Sequence, residues 1–253
     1  MAVICDLDGV VWLGAQPIPG AADAVARLRA GGHRVLFVTN NSAVPHAAVE
    51  DKLAAMGVPA RGDVLTSAMA AAGLVAPGSL VLAAAGPGVV EALEHRGARV
   101  VRERTEEVPD VVVVGLHFDF DYERLRVACD AIRRGARFVA TNTDATYPTP
   151  DGLIPGGGAL VAAVAAASGQ APEVAGKPHE PMAALVRSTL GADVDMIMVG
   201  DRWDTDGLFA HTLGCRFGLV LSGVTHAVDV PSDPAPDLVA ADLATLADGL
   251  LAG

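Results

Sequence analysis

The sequence predicts an α/β protein built on parallel β-sheets, in which a second α/β domain is inserted between the two halves of the first. Short apolar segments rich in Val, Ile and Leu alternate with segments whose apolar residues recur at helical spacing, and the connections are short. That alternation is typical of right-handed βαβ units in a parallel sheet. The 253 residues suffice for one large domain or for a medium one that carries a second.

The amino-terminal part of the chain contributes the first half of the main domain. Apolar residues at helical spacing predict a helix that Gly31-Gly32 ends, and the apolar run that follows predicts a buried strand. Gly57 closes the next helix in the same way. The elements expected here are a strand that begins at Ala2, a helix over 19–30, a strand over 34–38, and helices over 45–56 and 66–76.

A fresh set of elements begins after the Ala-Pro-Gly-Ser segment at 76–79. We expect this set to form the inserted domain at 78–174, so that the main domain comprises 1–77 and 175–253. The insert is expected to contain strands over 80–84, 98–101, 111–114 and 137–140, helices over 88–96, 122–133 and 159–167, and a loop over 141–158. The main domain is expected to close with helices over 181–190, 205–213 and 240–250 and strands over 195–199 and 217–221.

Composition and charge limit the class of partner. Hydrophobic residues make up 51% of the chain and charged residues 19%, which predicts an aliphatic core rather than disorder. The net charge of −12 disfavours nucleic acid, whose phosphate backbone needs a basic surface. The strand at Ala2 leaves no room for a signal peptide, and the longest apolar run, 159–167, is too short to cross a membrane. We therefore expect a cytoplasmic protein whose three cysteines are reduced.

Two carboxylates stand where the first strand ends, in the segment Asp6-Leu7-Asp8-Gly9. Side chains alternate along a strand, so Asp6 and Asp8 lie on one side while Leu7 points away, and Gly9 allows a sharp turn. Ligands bind at this carboxyl edge of open α/β sheets. Two acids held together require a cation between them, or one protonated acid that transfers a proton. An Asx-type turn uses the same residue types, so the segment alone leaves both interpretations open.

Two more polar segments fall at predicted junctions between a strand and a helix. Thr39-Asn40-Asn41-Ser42 offers a hydroxyl, amides and backbone N–H groups that can hold a phosphate, although helix capping uses the same residues. Gly176-Lys177-Pro178 contains one of only two lysines in a chain with 18 lysines and arginines together. Because lysine is so rare in this chain, we favour a role for Lys177 at a site that needs a compact point charge. The alternative is a solvated lysine on the surface.

The last polar segment follows an apolar strand and reads Gly200-Asp201-Arg202-Trp203-Asp204-Thr205-Asp206. Three acids at a strand end suit a hard cation with oxygen ligands, such as Mg²⁺. Asp204 and Asp206 would also be stabilised by the positive end of the helix that follows, which is the simpler explanation for either one.

In chain order the four segments read DxDG, TNNS, GKP and GDxxDTD, and together they resemble the haloacid-dehalogenase-like (HAD) superfamily of phosphatases along the whole chain. The TNNS form, the lysine and the GDRxDTD ending are similar to the NagD-type (class IIA) branch, which includes p-nitrophenyl-phosphate, phosphoglycolate, glycerol-phosphate, pyridoxal-phosphate and nucleotide phosphatases. The resemblance implies a Rossmann-like, doubly wound parallel-sheet HAD core with an inserted α/β cap of the C2 type. The segment 140–148 resembles the substrate-specificity loop of that branch.

The same resemblance implies a role for each site residue. Asp6 would be the nucleophile that forms an aspartyl-phosphate, and Asp8 would protonate the leaving oxygen and then activate water. Mg²⁺ would be bound by the Asp6 carboxylate, the Asp8 backbone carbonyl and Asp201. The other implied roles are phosphate binding by Thr39, Asn40 and Asn41, charge neutralisation by Lys177, support of Lys177 or of a metal-bound water by Asp206, and contact with the leaving group by Asn142, Asp144 and Tyr147.

The predicted function is Mg²⁺-dependent hydrolysis of a small phosphate monoester, with no nucleic-acid or membrane partner. A dehalogenase has no need of the acid Asp8, and a phosphotransferase or mutase is disfavoured by the large cap. A catalytically silent metabolite-binding or assembly module is the non-enzyme alternative, and the full set of polar positions argues against it. The sequence leaves the substrate open among sugar, glycerol, glycolate, pyridoxal and nucleoside phosphates, and leaves a homodimer through the cap open.

Overall fold

The computed structural model describes residues 1–149, 152–191 and 194–252 and has the mixed α/β architecture with parallel sheets that the sequence predicts. The strands are β1 (Ala2–Cys5), β2 (Trp12–Leu13), β3 (Gln16–Pro17), β4 (Arg34–Thr39), β5 (Val64–Thr66), β6 (Leu80–Ala84), β7 (Arg99–Val101), β8 (Val111–Val114), β9 (Arg137–Ala140), β10 (Thr146–Thr149), β11 (Gly152–Pro155), β12 (Glu173–Val174), β13 (Met196–Gly200), β14 (Arg216–Val220) and β15 (Leu238–Ala240). The α-helices are α1 (Ala21–Ala30), α2 (His46–Ala55), α3 (Ser67–Gly73), α4 (Pro87–His95), α5 (Tyr122–Arg133), α6 (Gly157–Ser168), α7 (Glu180–Leu190), α8 (Leu208–Leu213) and α9 (Leu243–Ala252).

The main sheet has six parallel strands in the order β15-β14-β13-β1-β4-β5. The strands that follow β1 along the chain are added on one side, and β13 to β15 are added on the other. The order therefore reverses beside β1, and a crevice forms outside the carboxyl ends of β1 and its neighbours. This topology brings the segments at 6–9, 39–42 and 200–206 to the same edge of the sheet.

The central strand β1 is apolar because both faces of the main sheet are covered. Ala2 and Ile4 pack in one apolar cluster, and Val3 and Cys5 pack in a second cluster on the opposite face. The cluster around Ile4 continues into the second sheet, where it includes residues of β6, β8 and β9. Alternation along a single strand thus anchors both layers of the core.

The second sheet has five parallel strands in the order β12-β9-β8-β6-β7, all of which lie between Leu80 and Val174. These strands fall inside the range expected for the inserted cap, and the boundaries at 78 and 174 stay a prediction. An antiparallel hairpin of β10 and β11 projects from the connection between β9 and α6. The sequence analysis predicted a loop over 141–158, and this prediction was wrong for the residues that form β10 and β11. Pro150 and Asp151 lie outside the described residues.

Several short elements differ from the sequence prediction. The β2–β3 hairpin, β12 and β15 contain two or three residues each, which is too few for a periodic pattern to register. Thr66, expected to begin a helix, ends β5 and accepts a hydrogen bond from the Met69 N–H on its hydroxyl, so it caps α3. The helix expected over 205–213 begins as a π-helical segment, Trp203–Gly207, and continues as α8.

Cys5 and Cys129 are buried, Cys215 is partly buried, and all three thiols are free. Over 1–149, 152–191 and 194–252, no helix combines the length and the apolar character that crossing a bilayer requires.

The cap meets the core through a close backbone contact at the start of α4. The Gly88 N–H donates to the Ala43 carbonyl at 3.3 Å, and a Cβ atom added at Gly88 would lie 2.0 Å from the Val44 carbonyl oxygen. Glycine is needed here because the two backbones approach more closely than any side chain allows.

Replacing Gly88 with alanine is expected to destabilise the protein by about 1–3 kcal/mol, because the added methyl group forces α4 away from the core loop. The measurement is thermal or urea unfolding of the purified variant. Gly73→Ala is the matched control, since this glycine is also helical and nothing lies within 4 Å of the added atom. The control is expected to be neutral or stabilising by up to about 1 kcal/mol. Equal stability of the two variants would contradict the close contact.

Candidate functional site

All eleven residues that the sequence predicts for the site line one cavity of about 60 Å³ at the carboxyl edge of the main sheet. Asp6 follows β1 and Asp201 follows β13, while Thr39 is the last residue of β4. The cap contributes residues from the segment between β9 and β10. The eleven are Asp6, Asp8, Thr39, Asn40, Asn41, Asn142, Asp144, Tyr147, Lys177, Asp201 and Asp206.

Lys177 bridges two carboxylates at the centre of this cavity. Its Nζ lies 2.7 Å from Asp6 Oδ1 and 2.7 Å from Asp206 Oδ1, and its side chain is 1% exposed. Burial works against the charge on Lys177, but the two carboxylates outweigh it, so the pKa of this lysine is raised above its ordinary value. Lys177 therefore stays protonated and places a fixed positive charge against Asp6.

Three buried acids share this one lysine. Oxygen atoms of Asp6, Asp201 and Asp206 all lie within 4.8 Å of one another. Burial raises the pKa of Asp6 and of Asp206, the latter to about 6, and raises the pKa of Asp201 well above its usual range. One ammonium cannot balance three carboxylates. An additional divalent cation with oxygen ligands fits this group, and Mg²⁺ has that preference.

Asp206 is already occupied by protein groups. Its Oδ1 accepts a hydrogen bond from Lys177, and its Oδ2 accepts one from the Arg202 backbone N–H at 3.2 Å. The π-helical segment Trp203–Gly207 turns the side chain back toward β13, where a Cβ atom on Gly200 would lie 2.2 Å from Asp206 Oδ2. These contacts favour the predicted indirect role of Asp206, in which it supports Lys177 or a metal-bound water.

The backbones of two glycines, Gly9 and Gly223, pack closely against the Asp201 carboxylate, and the sequence analysis did not predict this packing. Its Oδ2 accepts a hydrogen bond of 2.6 Å from the Val224 N–H. A Cβ atom would lie 2.3 Å from this oxygen at Gly9 and 1.9 Å from it at Gly223. Gly9 also has a φ of 83°, in the left-handed region that favours glycine. The sequence signal at Gly223 is a Ser-Gly pair after a strand, which any turn would show.

Asn40 uses its side chain to hold other site residues. Its Oδ1 accepts a hydrogen bond from the Lys177 N–H at 2.8 Å, and its Nδ2 donates to the Lys177 carbonyl at 3.0 Å. The same Nδ2 donates to Asp144 Oδ2 at 3.0 Å. A phosphate contact from Asn40 would therefore come from its backbone N–H, not from the amide side chain, and the side chain positions Lys177.

Asn41 and the cap face each other across the mouth of the cavity. The Asn41 N–H donates to Thr39 Oγ1 at 3.0 Å, and its Nδ2 donates to the Tyr147 hydroxyl at 3.2 Å. Burial raises the pKa of Tyr147 to about 12, so this hydroxyl remains a donor. Burial also raises the pKa of Asp144. Asn142 joins the cap to the core, because its Nδ2 donates to the Asn40 carbonyl at 2.7 Å.

Asp8 stands apart from the ion cluster, although it lies only two residues after Asp6. Its Oδ1 accepts a hydrogen bond of 3.0 Å from the Trp12 indole N–H. Burial raises the pKa of Asp8, and the indole N–H opposes that change only in part. A raised pKa favours the protonated form of this carboxyl group, which can release its proton to a leaving group.

Comparison with known protein families identifies an amino-terminal and a carboxy-terminal segment of the chain. A family model described as haloacid dehalogenase-like hydrolase matches residues 3–99, and a model described as HAD-like hydrolase matches residues 174–246. The D-glycerol 3-phosphate phosphatase of Mycobacterium tuberculosis is 40% identical over 254 residues, which cover 96% of this chain and 70% of that protein. The acid sugar phosphatase of Staphylococcus aureus is 35% identical over 240 residues, which cover 93% of this chain and 92% of that protein.

Solved structures agree with these matches. The glycerol phosphate phosphatase of Mycobacterium tuberculosis in complex with magnesium superposes with a TM-score of 0.88 at 39% identity, over 97% of this chain and 75% of that one. The p-nitrophenyl phosphatase of Archaeoglobus fulgidus superposes with a TM-score of 0.87 at 29% identity, over 98% of both chains.

Mg²⁺ is expected to stabilise the protein more at pH 8 than at pH 5. Because burial raises the pKa of Asp206 to about 6 and raises the pKa of Asp201 well above its usual range, the folded protein holds protons that the unfolded chain releases. The metal-free protein therefore loses stability as the pH rises through these values, and a bound cation offsets the loss. Calorimetry should show a rise in melting temperature on the order of 5 °C at pH 8 and clearly less at pH 5.

The control for this experiment lies in the same segment. Asp204 is an exposed acid that pairs with Arg202, so Asp204→Asn is expected to keep the pH-dependent effect of Mg²⁺. Asp201→Asn is expected to lose it. An equal rise at both pH values in the unmodified protein would contradict a site made of these buried carboxylates.

Proposed function

Because this chain belongs to the haloacid dehalogenase-like hydrolase family, we propose that it is a Mg²⁺-dependent phosphatase that forms an aspartyl-phosphate on Asp6. The observation that carries the proposal is the buried contact between Lys177 and Asp6 at 2.7 Å, beside two further acids. A phosphate dianion and a carboxylate repel each other, so they can react only where cations offset the repulsion. The cavity supplies one fixed cation and the ligands for a second.

The first step transfers the phosphoryl group to the protein. An oxygen of Asp6 attacks phosphorus while the bond from phosphorus to the leaving oxygen breaks, and Asp8 gives its proton to that oxygen. Lys177 balances the charge that Asp6 and the phosphoryl oxygens bring together. Mg²⁺ would be held by Asp6, Asp201 and the Asp8 carbonyl, and it would withdraw charge from the phosphoryl oxygens.

The second step returns the protein to its starting state. Asp8, now a carboxylate, takes a proton from a water molecule whose oxygen attacks phosphorus. The bond from phosphorus to the Asp6 oxygen breaks, inorganic phosphate leaves, and Asp8 is protonated again. The same carboxyl group therefore serves as acid and then as base, which requires that it stay out of direct contact with Lys177.

The polar groups of the cap favour a short, hydroxylated leaving group. Asn142, Asp144 and Tyr147 offer both donors and acceptors at the cavity mouth, whereas Leu116 and Val224 are its large apolar lining residues among those described. Such a lining suits the hydroxyl groups of a glycerol or small sugar phosphate better than an aromatic ring. The named activities of the two curated relatives, on glycerol 3-phosphate and acid sugars, support this choice. The cytoplasmic location and the homodimer through the cap stay predictions.

Asp6→Asn is expected to abolish hydrolysis of p-nitrophenyl phosphate, because an amide cannot form the phosphoryl intermediate. We expect kcat/KM to fall by about 10³-fold or more, and chelation with EDTA to stop the unmodified enzyme. The measurement is release of nitrophenolate with added Mg²⁺. Asp204 lies in the same region, and 70% of its side chain is exposed. Asp204→Asn is therefore the control and is expected to retain activity. Activity that persists in Asp6→Asn would refute the covalent mechanism.

Removing the hydroxyl of Tyr147 is expected to change substrate preference. Tyr147→Phe should lower kcat/KM for glycerol 3-phosphate by about tenfold, and for p-nitrophenyl phosphate by less than about threefold, because one hydrogen bond to the leaving group is lost. Tyr122→Phe is the matched control, since Tyr122 is the only other tyrosine in the sequence and is 80% exposed. An equal loss for both substrates would show that Tyr147 does not contact the leaving group.

A further inference from the structure

Trp12 contacts the proposed acid, Asp8, through its side chain, and it contacts the residues on either side of Asp8 through its backbone. The indole Nε1–H donates to Asp8 Oδ1 at 3.0 Å, and the side chain is buried, with the residue only 3% exposed. The Trp12 N–H donates to the Leu7 carbonyl at 3.2 Å, and the Trp12 carbonyl accepts a hydrogen bond of 2.7 Å from the Gly9 N–H. The tryptophan and the segment that carries Asp8 therefore form one rigid turn.

Lys52 is the second lysine of the chain, and the proposed chemistry does not use it. Its Nζ lies 3.8 Å from the centre of the Trp12 ring, within the range of a cation–π contact. The same Nζ donates to the Gly14 carbonyl at 2.7 Å. Lys52 lies on α2, so one ammonium group connects this helix to the indole face and to the turn of the β2–β3 hairpin.

We propose that Trp12 and Lys52 are positioning residues for Asp8 and determine which of its oxygens delivers the proton. This inference rests on the proposed phosphatase function. The indole N–H can only donate, so Oδ1 acts as its acceptor and the acid proton is carried by Oδ2. Lys52 holds the indole in place from the face of the ring. A carboxyl group left to rotate would present its proton to the leaving oxygen only part of the time.

The chemistry of the leaving group supplies a test that a purely structural role would not pass. Phenol has a pKa of about 10, like tyrosine, so phenolate is a poor leaving group. Its departure is therefore faster when the leaving oxygen receives a proton as the P–O bond breaks. Nitrophenolate is a weaker base and leaves with little help. Phenyl phosphate and p-nitrophenyl phosphate bind through the same ring and phosphate, so the comparison isolates proton delivery from binding.

The decisive variant is Trp12→Phe, which keeps an aromatic side chain near Lys52 and removes the N–H donor together with one ring of the indole. We expect kcat/KM for phenyl phosphate to fall about tenfold or more, and kcat/KM for p-nitrophenyl phosphate to fall less than about threefold. The quantity kcat/KM is chosen because it reports the steps up to release of the leaving group. Equal losses for the two esters, or none, would overturn the proposal.

Lys52→Met provides a second test on a partly exposed residue, should Trp12→Phe fold poorly. We expect the same direction of change, with a smaller ratio between the two esters. Arg29→Met is its matched control, because Arg29 also lies over an aromatic ring, that of Phe37, and also donates to a backbone carbonyl, that of Pro59. The control is expected to leave the ratio unchanged, and a ratio that shifts as much in Arg29→Met would overturn the assignment.

Failure of the proposed function and failure of this inference give different results. If the unmodified protein with Mg²⁺ releases phosphate from neither ester, the phosphatase function itself is wrong. If it hydrolyses both esters and the variants leave their ratio unchanged, only the positioning roles of Trp12 and Lys52 are wrong.

Discussion

The arrangement of the whole site depends on one buried ammonium group. Three carboxylates lie together in a cavity from which most water is excluded, and each pays a large desolvation cost as an anion. Lys177 reduces that cost by contacting Asp6 and Asp206 at the same distance. Arginine is the cation this chain uses almost everywhere else, but a planar guanidinium would not occupy the small space between two carboxylates.

The amide side chain of Asn40 connects Lys177 to Asp144. Asn40 contacts the backbone of Lys177 on both sides and also reaches Asp144 of the cap. A substrate that moves Asp144 therefore acts on the residue that holds the lysine in place. In the proposed function, this connection would let contacts at the leaving group influence chemistry at the phosphoryl group, because Asp144 and Lys177 share a hydrogen-bond donor.

The long elements and the polar strand ends could be predicted from sequence, because both signals are local. An apolar run predicts β1, and the acids at its end follow from the edge of a parallel sheet. Contacts between distant segments could not be predicted in this way. Gly223 contacts Asp201 only in the folded chain, and a Ser-Gly pair in the sequence does not predict that contact. In the same way, Trp12 binds Asp8 only after folding, and an isolated tryptophan does not predict it. The cap hairpin was missed because β10 and β11 are short and contain Pro148 and Pro155.

The proposed mechanism requires two acids that are two residues apart to be in different protonation states. Asp6 has to be an anion in order to attack, whereas Asp8 has to be protonated in order to donate. In the structure, the two carboxyl groups differ in the side chain that each one contacts. Asp6 meets the charged ammonium of Lys177, which favours its ionised form, and Asp8 meets the neutral indole of Trp12, which orients the carboxyl group with much less stabilisation of the anion. Gly9, with a φ of 83°, turns the chain directly after Asp8, and the two carboxyl groups of the short DxDG segment contact different partners.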